Sequence, residues 1–133
     1  MSNFLWVVAF TGHRNKMTNN ASLLDIYQSI PNAKWIHGNA KDGFDAQVKN
    51  FIKYYDIPFE EFDPEYEKYP DRPKYAPLAR NFHMVDICNL LVACYDGRRF
   101  GGTYQTIEYA KKIGRPVRPV RAYGAHKGKL KII

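Results

Sequence analysis

With 133 residues, 45% hydrophobic and 15% aromatic, the chain is long enough for one domain with a buried core and too varied for a low-complexity or repeat protein. Its longest apolar runs, "FLWVVAF" and "NLLVACY", are too short to span a bilayer, and its 2 cysteines exclude a disulfide framework. The net charge of +7 is lopsided: residues 1–70 carry 7 Lys+Arg against 9 Asp+Glu, and residues 71–133 carry 13 against 4.

Phe4–Phe10 is a short apolar run stopped by Thr11-Gly12, the pattern of a strand buried on both faces. "ASLLDIYQSI" sets Leu23, Tyr27 and Ile30 at helical spacing, with Pro31 as a stop. "KWIHG" is a short second strand. "DGFDAQVKNFIKYYD" aligns Phe44, Val48, Phe51, Ile52 and Tyr55 on one stripe and predicts a helix. "IPFEEF" predicts a third, more exposed strand. "DPEYEKYPDRPKYAP" is rich in proline and tyrosine and predicts a long loop. "LARNFHMVDIC" predicts a helix with Leu78, Phe82 and Val85 inward, and "NLLVACYDG" a central strand. A helix opening at Thr103 follows, with Ile107 and Ala110 inward and Gly114 as its cap. "RPVRPV" is a last strand, placed at an edge or only partly paired by its prolines. Residues 121–133 read as a basic tail.

Strands alternating with helices predict an α/β domain over residues 1–133. Its core is a doubly wound parallel sheet of about five strands, in a three-layer Rossmann-like arrangement. Ligands in such sheets bind beyond the carboxyl ends of the strands, where strand order reverses. The segments expected there are "TGHRNK", "HGNAKDGFD" and "YDGRRFGGT". All three are rich in glycine and in polar or basic residues, and all fall on one rim.

These segments supply the candidate site. Gly12 permits a tight turn, after which Thr11, His13 and Arg14 face the crevice. Gly38, Asn39 and Gly43 belong to the second loop, and Asp45 to the first turn of the helix after it. A carboxylate there serves either the helix dipole or the ligand. Asp96 and Arg98 precede Gly101 and Gly102, whose backbone N–H groups open a helix, where an anion is stabilised. Thr103 is either the N-cap or a phosphate donor. Arg80 and its neighbour Asn81 lie on the preceding helix, and an arginine between apolar positions needs an anionic partner. Glu108 has two readings. It is a solvated helix position paired with Lys111 or Lys112, or it projects into the pocket for acid–base or nucleophilic work.

The two cysteines, each in an apolar setting, read as buried free thiols in a reducing cytosol. No Cys/His cluster has zinc-ligand spacing, so neither a metal nor a cofactor is expected. The N-terminus lacks a basic region followed by a long apolar run, so no signal peptide is expected and the location implied is cytoplasmic. The basic half attracts either nucleic acid or a small phosphorylated ligand, or simply keeps the chain solvated.

Five motifs in order, "FTGHR", "HGNAKDGFD", "APLARNFHMVD", "LLVACYDG" and "GGTYQTIEYAKKIGRPV", resemble the SLOG superfamily. That superfamily holds the Rossmann-like domains related to the DNA-processing protein DprA and to the LOG cytokinin-activating enzymes. The similarity is closest to the small YspA-like branch and covers Phe4 to about Val120. It implies nucleotide binding by the glycine loops. For the LOG branch it implies cleavage of the N-glycosidic bond of a nucleoside monophosphate, with Arg80, Glu108 and Asp45 as the groups available for catalysis. Two departures stand out. Asn39 replaces a glycine in the second motif, and the LOG pattern Pro-Gly-Gly-x-Gly-Thr-x-x-Glu lacks its proline and third glycine here, so Glu108 falls out of register. The expected partner is a small nucleotide-like ligand, with a homo-oligomer suggested by the tyrosines of "EYEKYP". Three functions follow: a phosphoribohydrolase-like or deoxyribosyltransferase-like enzyme, a sensor or sequestering module for a nucleotide-derived signal, and, least favoured, a DprA-like nucleic-acid binder using the basic half.

Overall fold

The computed structural model describes residues 6–126 and 129–130. A parallel sheet is built from β1 (Trp6–Gly12), β3 (Ala33–His37), β4 (Phe59–Glu61), β5 (Leu90–Tyr95) and β6 (Val117–Arg121), in the order β4-β3-β1-β5-β6. Every neighbouring pair in it is parallel. The chain runs outward from β1 in one direction and then returns to pair β5 on its other side. Strand order therefore reverses between β1 and β5, which is where a ligand crevice is expected.

Helices fill both faces. α1 (Asn20–Ser29) and α2 (Gly43–Tyr55) cover one, and α3 (Tyr75–Ile87) and α4 (Gly102–Lys112) the other. Side-chain alternation along β1 explains the two layers: Val8 and Phe10 join Leu23, Ile26, Trp35 and Phe51 on the first face, while Ala9 joins Met84, Val85, Leu91 and Ile107 on the second. The first core is aromatic, with Trp35 stacked on Phe51 at 5.5 Å and Phe10 tilted against Trp35 at 4.4 Å. The buried residues of the second are aliphatic or sulfur-bearing, with no aromatic ring among them. Cys88 and Cys94 are free and buried. Burial pushes the Cys94 thiol up to about 12, which leaves it uncharged and unreactive.

Several boundaries differ from the sequence reading. The predicted long loop contains a 3₁₀ turn at Tyr66–Lys68, and α3 begins at Tyr75 rather than Leu78. Pro77 is accommodated there because the first turn has no intrahelical N–H bond for a proline to break. On α3 the buried residues are Ala76, Met84 and Val85, whereas Leu78 and Phe82 line a groove between α3 and α4. The helix after the glycines opens at Gly102, with Gly101 as its cap, so Thr103 lies inside its first turn and is not the N-cap. The supposed basic tail begins as structure. Arg121 completes β6, and β7 (Tyr123–His126) pairs antiparallel with β2 (Lys16–Met17) and with β8 (Lys129–Leu130) in a second small sheet. The remainder of that tail, residues 127, 128 and 131–133, lies outside the described residues. The edge position of β6 and the exposure of β4 agree with the sequence reading.

Candidate functional site

The three rim loops do converge. Together with α3 they enclose a crevice of about 580 Å³ beyond the carboxyl ends of β1 and β5. Its floor is the end of β1 and the turn that follows, where Thr11, Gly12, His13 and Arg14 lie in sequence. Gly12 fits because a side chain there would collide with Phe44 and Cys94, both within 2.9 Å of its position. Opposite stand Arg98, Gly101, Gly102 and Thr103 at the amino end of α4. From the second loop and the start of α2 come Ala40, Asp42 and Asp45, from the residue before α3 comes Lys74, and from α3 come Arg80 and Asn81.

Arg80 is fixed by backbone and side chain together. Its Nη1 donates to the carbonyls of Gly38 and of Phe62 (3.0 Å), and its Nε donates to Asn81 Oδ1 at 2.8 Å. No hydrogen bond among the described residues uses Nη2. Burial lowers the pKa of the guanidinium, with Asp45 opposing that shift. Gly38 packs flat against this group, since a Cβ on it would lie 2.5 Å from Nη1. Asn39 has a left-handed backbone at φ 59°, and its amide links Asp63 and Lys49 rather than facing the crevice.

Asp45 closes the second loop from the first turn of α2. Its Oδ2 accepts the Ala40 N–H at 3.1 Å. Burial raises its pKa above the ordinary carboxylate value, opposed by the Ala40 hydrogen bond and then by Arg80 and Arg14. Gly43, at φ +69°, lets this loop touch the first one: a Cβ there would sit 2.2 Å from the Arg14 carbonyl oxygen.

On the α4 side, Asp96 organises two groups. It grips Arg98 through Nε, with both oxygens at 3.0 Å, and lies 3.2 Å from His13 Nε2. The pKa of Asp96 is lowered well below the usual carboxylate range, first by the Arg98 hydrogen bonds. His13 is buried, with its pKa lowered chiefly by that burial, so it is neutral at pH 7.

The residues expected at the site thus separate into three groups. Thr11, Gly12, His13, Arg14, Asp45, Arg80, Asn81, Arg98, Gly101, Gly102 and Thr103 line one crevice. Gly38, Asn39, Gly43 and Asp96 stand behind it and hold the lining in place. Glu108 lies elsewhere: it faces the outer groove between α3 and α4, half-exposed, with Lys111 Nζ at 3.6 Å from Oε2. The residue three after Thr103 is Thr106, fully buried, whose Oγ1 donates to the Gly102 carbonyl at 2.7 Å and accepts from Asn81 Nδ2 at 3.1 Å. Two residues further on is about 200° around a helix, which puts Glu108 on the opposite side. Sequence reasoning missed Thr106, Lys74 and Tyr66. The register of the threonine motif could have found the first, but the other two come from the proline-rich segment, whose path no periodicity encodes.

No family model, curated protein or solved structure matches the chain.

Proposed function

We propose that the crevice binds a phosphorylated nucleoside or a nucleotide-derived ligand through its phosphate. The observation that carries this reading is the amino end of α4, where Gly101 and Gly102 open the helix on the crevice at the β1/β5 reversal. The first N–H groups of a helix have no intrahelical acceptor, and the helix dipole favours an anion beside them. Lys74, Arg14, Arg80 and Arg98 add positive charge around the same space. The crevice volume of about 580 Å³ suits a mononucleotide-sized molecule. Membership of the SLOG superfamily, with its nucleotide-binding glycine loops, is the family reading consistent with this placement.

A second reading adds hydrolysis, and Asp45 favours it. Its carboxylate lines the crevice beside Arg14 and Arg80, and in its ionised form it would stabilise a cation developing next to it. In N-glycosidic cleavage the bond from C1′ to the base breaks, the sugar becomes oxocarbenium-like, and water adds at C1′. The products would be free base and ribose 5-phosphate. Asp45 and Asp42 line the crevice and Glu108 does not, so this reading assigns the cation to Asp45 rather than to Glu108.

The deciding experiment incubates the purified protein with nucleoside monophosphates, NAD and cyclic ADP-ribose isomers, and then separates the small molecules. Free base from one of them supports cleavage. Intact ligand retained on the protein supports a binding module. Neither release nor retention of any compound would reject both readings.

A further inference from the structure

The crevice does not end at α4. A second, more apolar cavity of about 940 Å³ runs along the outer groove between α3 and α4, and five residues line both: Lys74, Pro77, Asn81, Gly101 and Gly102. The amino end of α4 is therefore the boundary between two contiguous spaces of opposite character. One side is polar and cationic. The other has aromatic walls.

The aromatic residues of the groove are not equivalent. Phe82 and Tyr109 are already stacked on each other at 4.3 Å, and the Tyr109 hydroxyl donates to Asp86. Tyr75 lies under the Arg72 guanidinium at 5.3 Å, and its hydroxyl accepts from the same residue. Tyr104 differs: among the described residues it has neither a ring contact nor a hydrogen bond, although it sits half-buried one turn from Gly101. Gln105 beside it gives the groove an uncommitted amide among the described residues, whereas the Glu108 carboxylate one turn on is paired with Lys111. A planar ring with polar edges fits such a wall better than an aliphatic chain does, because it stacks on Tyr104 and hydrogen-bonds along its rim.

We infer that the groove between α3 and α4 is a nucleobase subsite, so that the ligand straddles the amino end of α4 with its phosphate in the crevice and its base on Tyr104. This inference rests on the phosphate reading of the crevice. It gives the ligand class as a 5′-phosphorylated nucleoside whose base leaves the sheet rim and lies on the helical layer.

The test is calorimetric titration with ribose 5-phosphate and with AMP, GMP, CMP and UMP, on the wild type and on Tyr104→Ala. The nucleotide that binds tightest should exceed ribose 5-phosphate by about tenfold or more, as expected for a base stacked on an aromatic ring. Tyr104→Ala should remove that margin and leave ribose 5-phosphate affinity unchanged. Gln105→Ala, an exposed substitution that spares the core, should reduce the same margin severalfold. Equal binding of sugar phosphate and nucleotides, with neither variant altering either, overturns the subsite and leaves the phosphate crevice standing. If neither ribose 5-phosphate nor any nucleotide binds, the crevice reading falls and the subsite with it. A wild-type dimer that Tyr104→Ala splits into monomers, seen by light scattering, would assign the groove to a second copy of the chain and also overturn the subsite.

Discussion

Asn81 donates from Nδ2 to Thr106 Oγ1 at 3.1 Å, while its Oδ1 accepts from Arg80 Nε at 2.8 Å. Thr106 in turn donates to the Gly102 carbonyl at 2.7 Å. One amide thus ties the crevice arginine on α3 to the first turn of α4, whose N–H groups are proposed to hold the phosphate. Asn81 here is a positioning residue. Its two ends fix the spacing of two elements that would hold the same phosphate.

Breaking this relay should weaken binding while the fold persists. Thr106→Val keeps the volume and removes the hydroxyl that Asn81 needs. The lost hydrogen bonds cost about 1 kcal/mol each in stability. Affinity for a phosphorylated ligand should fall severalfold in titration, and Thr106→Ser, which restores the hydroxyl, should recover most of it. Equal affinity in Thr106→Val and wild type would show that Arg80 and α4 act independently.

Two glycines separate packing from binding. Gly43→Ala places a methyl carbon 2.2 Å from the Arg14 carbonyl, at φ +69°. The backbone strain alone is worth about 1–3 kcal/mol, and the neighbour is main chain that cannot swing away. A large drop in the melting temperature is expected. Gly38→Ala meets only the end of the Arg80 side chain. That side chain can swing away, at the cost of its hydrogen bonds to Gly38, Phe62 and Asn81, so the melting temperature should fall less than in Gly43→Ala while phosphate affinity falls about tenfold or more, the scale of a lost charge-assisted contact. Thermal melts and titrations on both variants check the contrast, and a stable Gly43→Ala would contradict the loop packing.

Asp45→Asn should be better tolerated by the fold than by the chemistry. Burial already disfavours the Asp45 charge, and an asparagine oxygen can still accept the Ala40 N–H. The melting temperature at neutral pH should hold or rise, whereas any release of free base should be abolished. An enzyme that keeps full turnover as Asp45→Asn would rule out the role assigned to that carboxylate. Glu108→Gln should leave release unchanged, because Glu108 lies outside the crevice.

The sheet was legible because its strands are short apolar runs separated by amphipathic stripes, and the stripe through Phe44, Val48, Phe51 and Ile52 is buried as its spacing implies. The rim loops were legible because glycine and basic residues cluster after each strand. The roles of Leu78 and Phe82 were not. Helical spacing shows that they share a face, but whether that face meets the sheet or the neighbouring helix depends on how α3 and α4 pack. Glu108 shows the same limit more sharply. Its chemistry suits a site, and only the rotation of α4 decides that it points away. β2 and β8 were missed because a two-residue strand has no periodicity to read, and the four-residue β7 because it falls in the basic stretch read as a tail.

Acid should destabilise the fold before its carboxylates titrate. His13 and His37 are both buried, and burial is the first cause lowering both pKa values from 6.5. Below about pH 6.5 an unfolded histidine takes up a proton that the folded one refuses until its own lower pKa is reached. The unfolded state then binds more protons, so stability rises with pH through this window and is lost as pH falls from 6.5 to the folded values. His37 has the harsher setting: its Nδ1 accepts the Asn39 N–H at 3.1 Å, while its Nε2 is buried without a hydrogen bond among the described residues, 3.9 Å from Glu61 Oε1. Denaturant midpoints should therefore decline between pH 7 and pH 5, and His37→Gln should flatten that decline more than it shifts the midpoint at pH 8. A midpoint constant over that range, with native histidines, would mean that neither burial is felt by the proton.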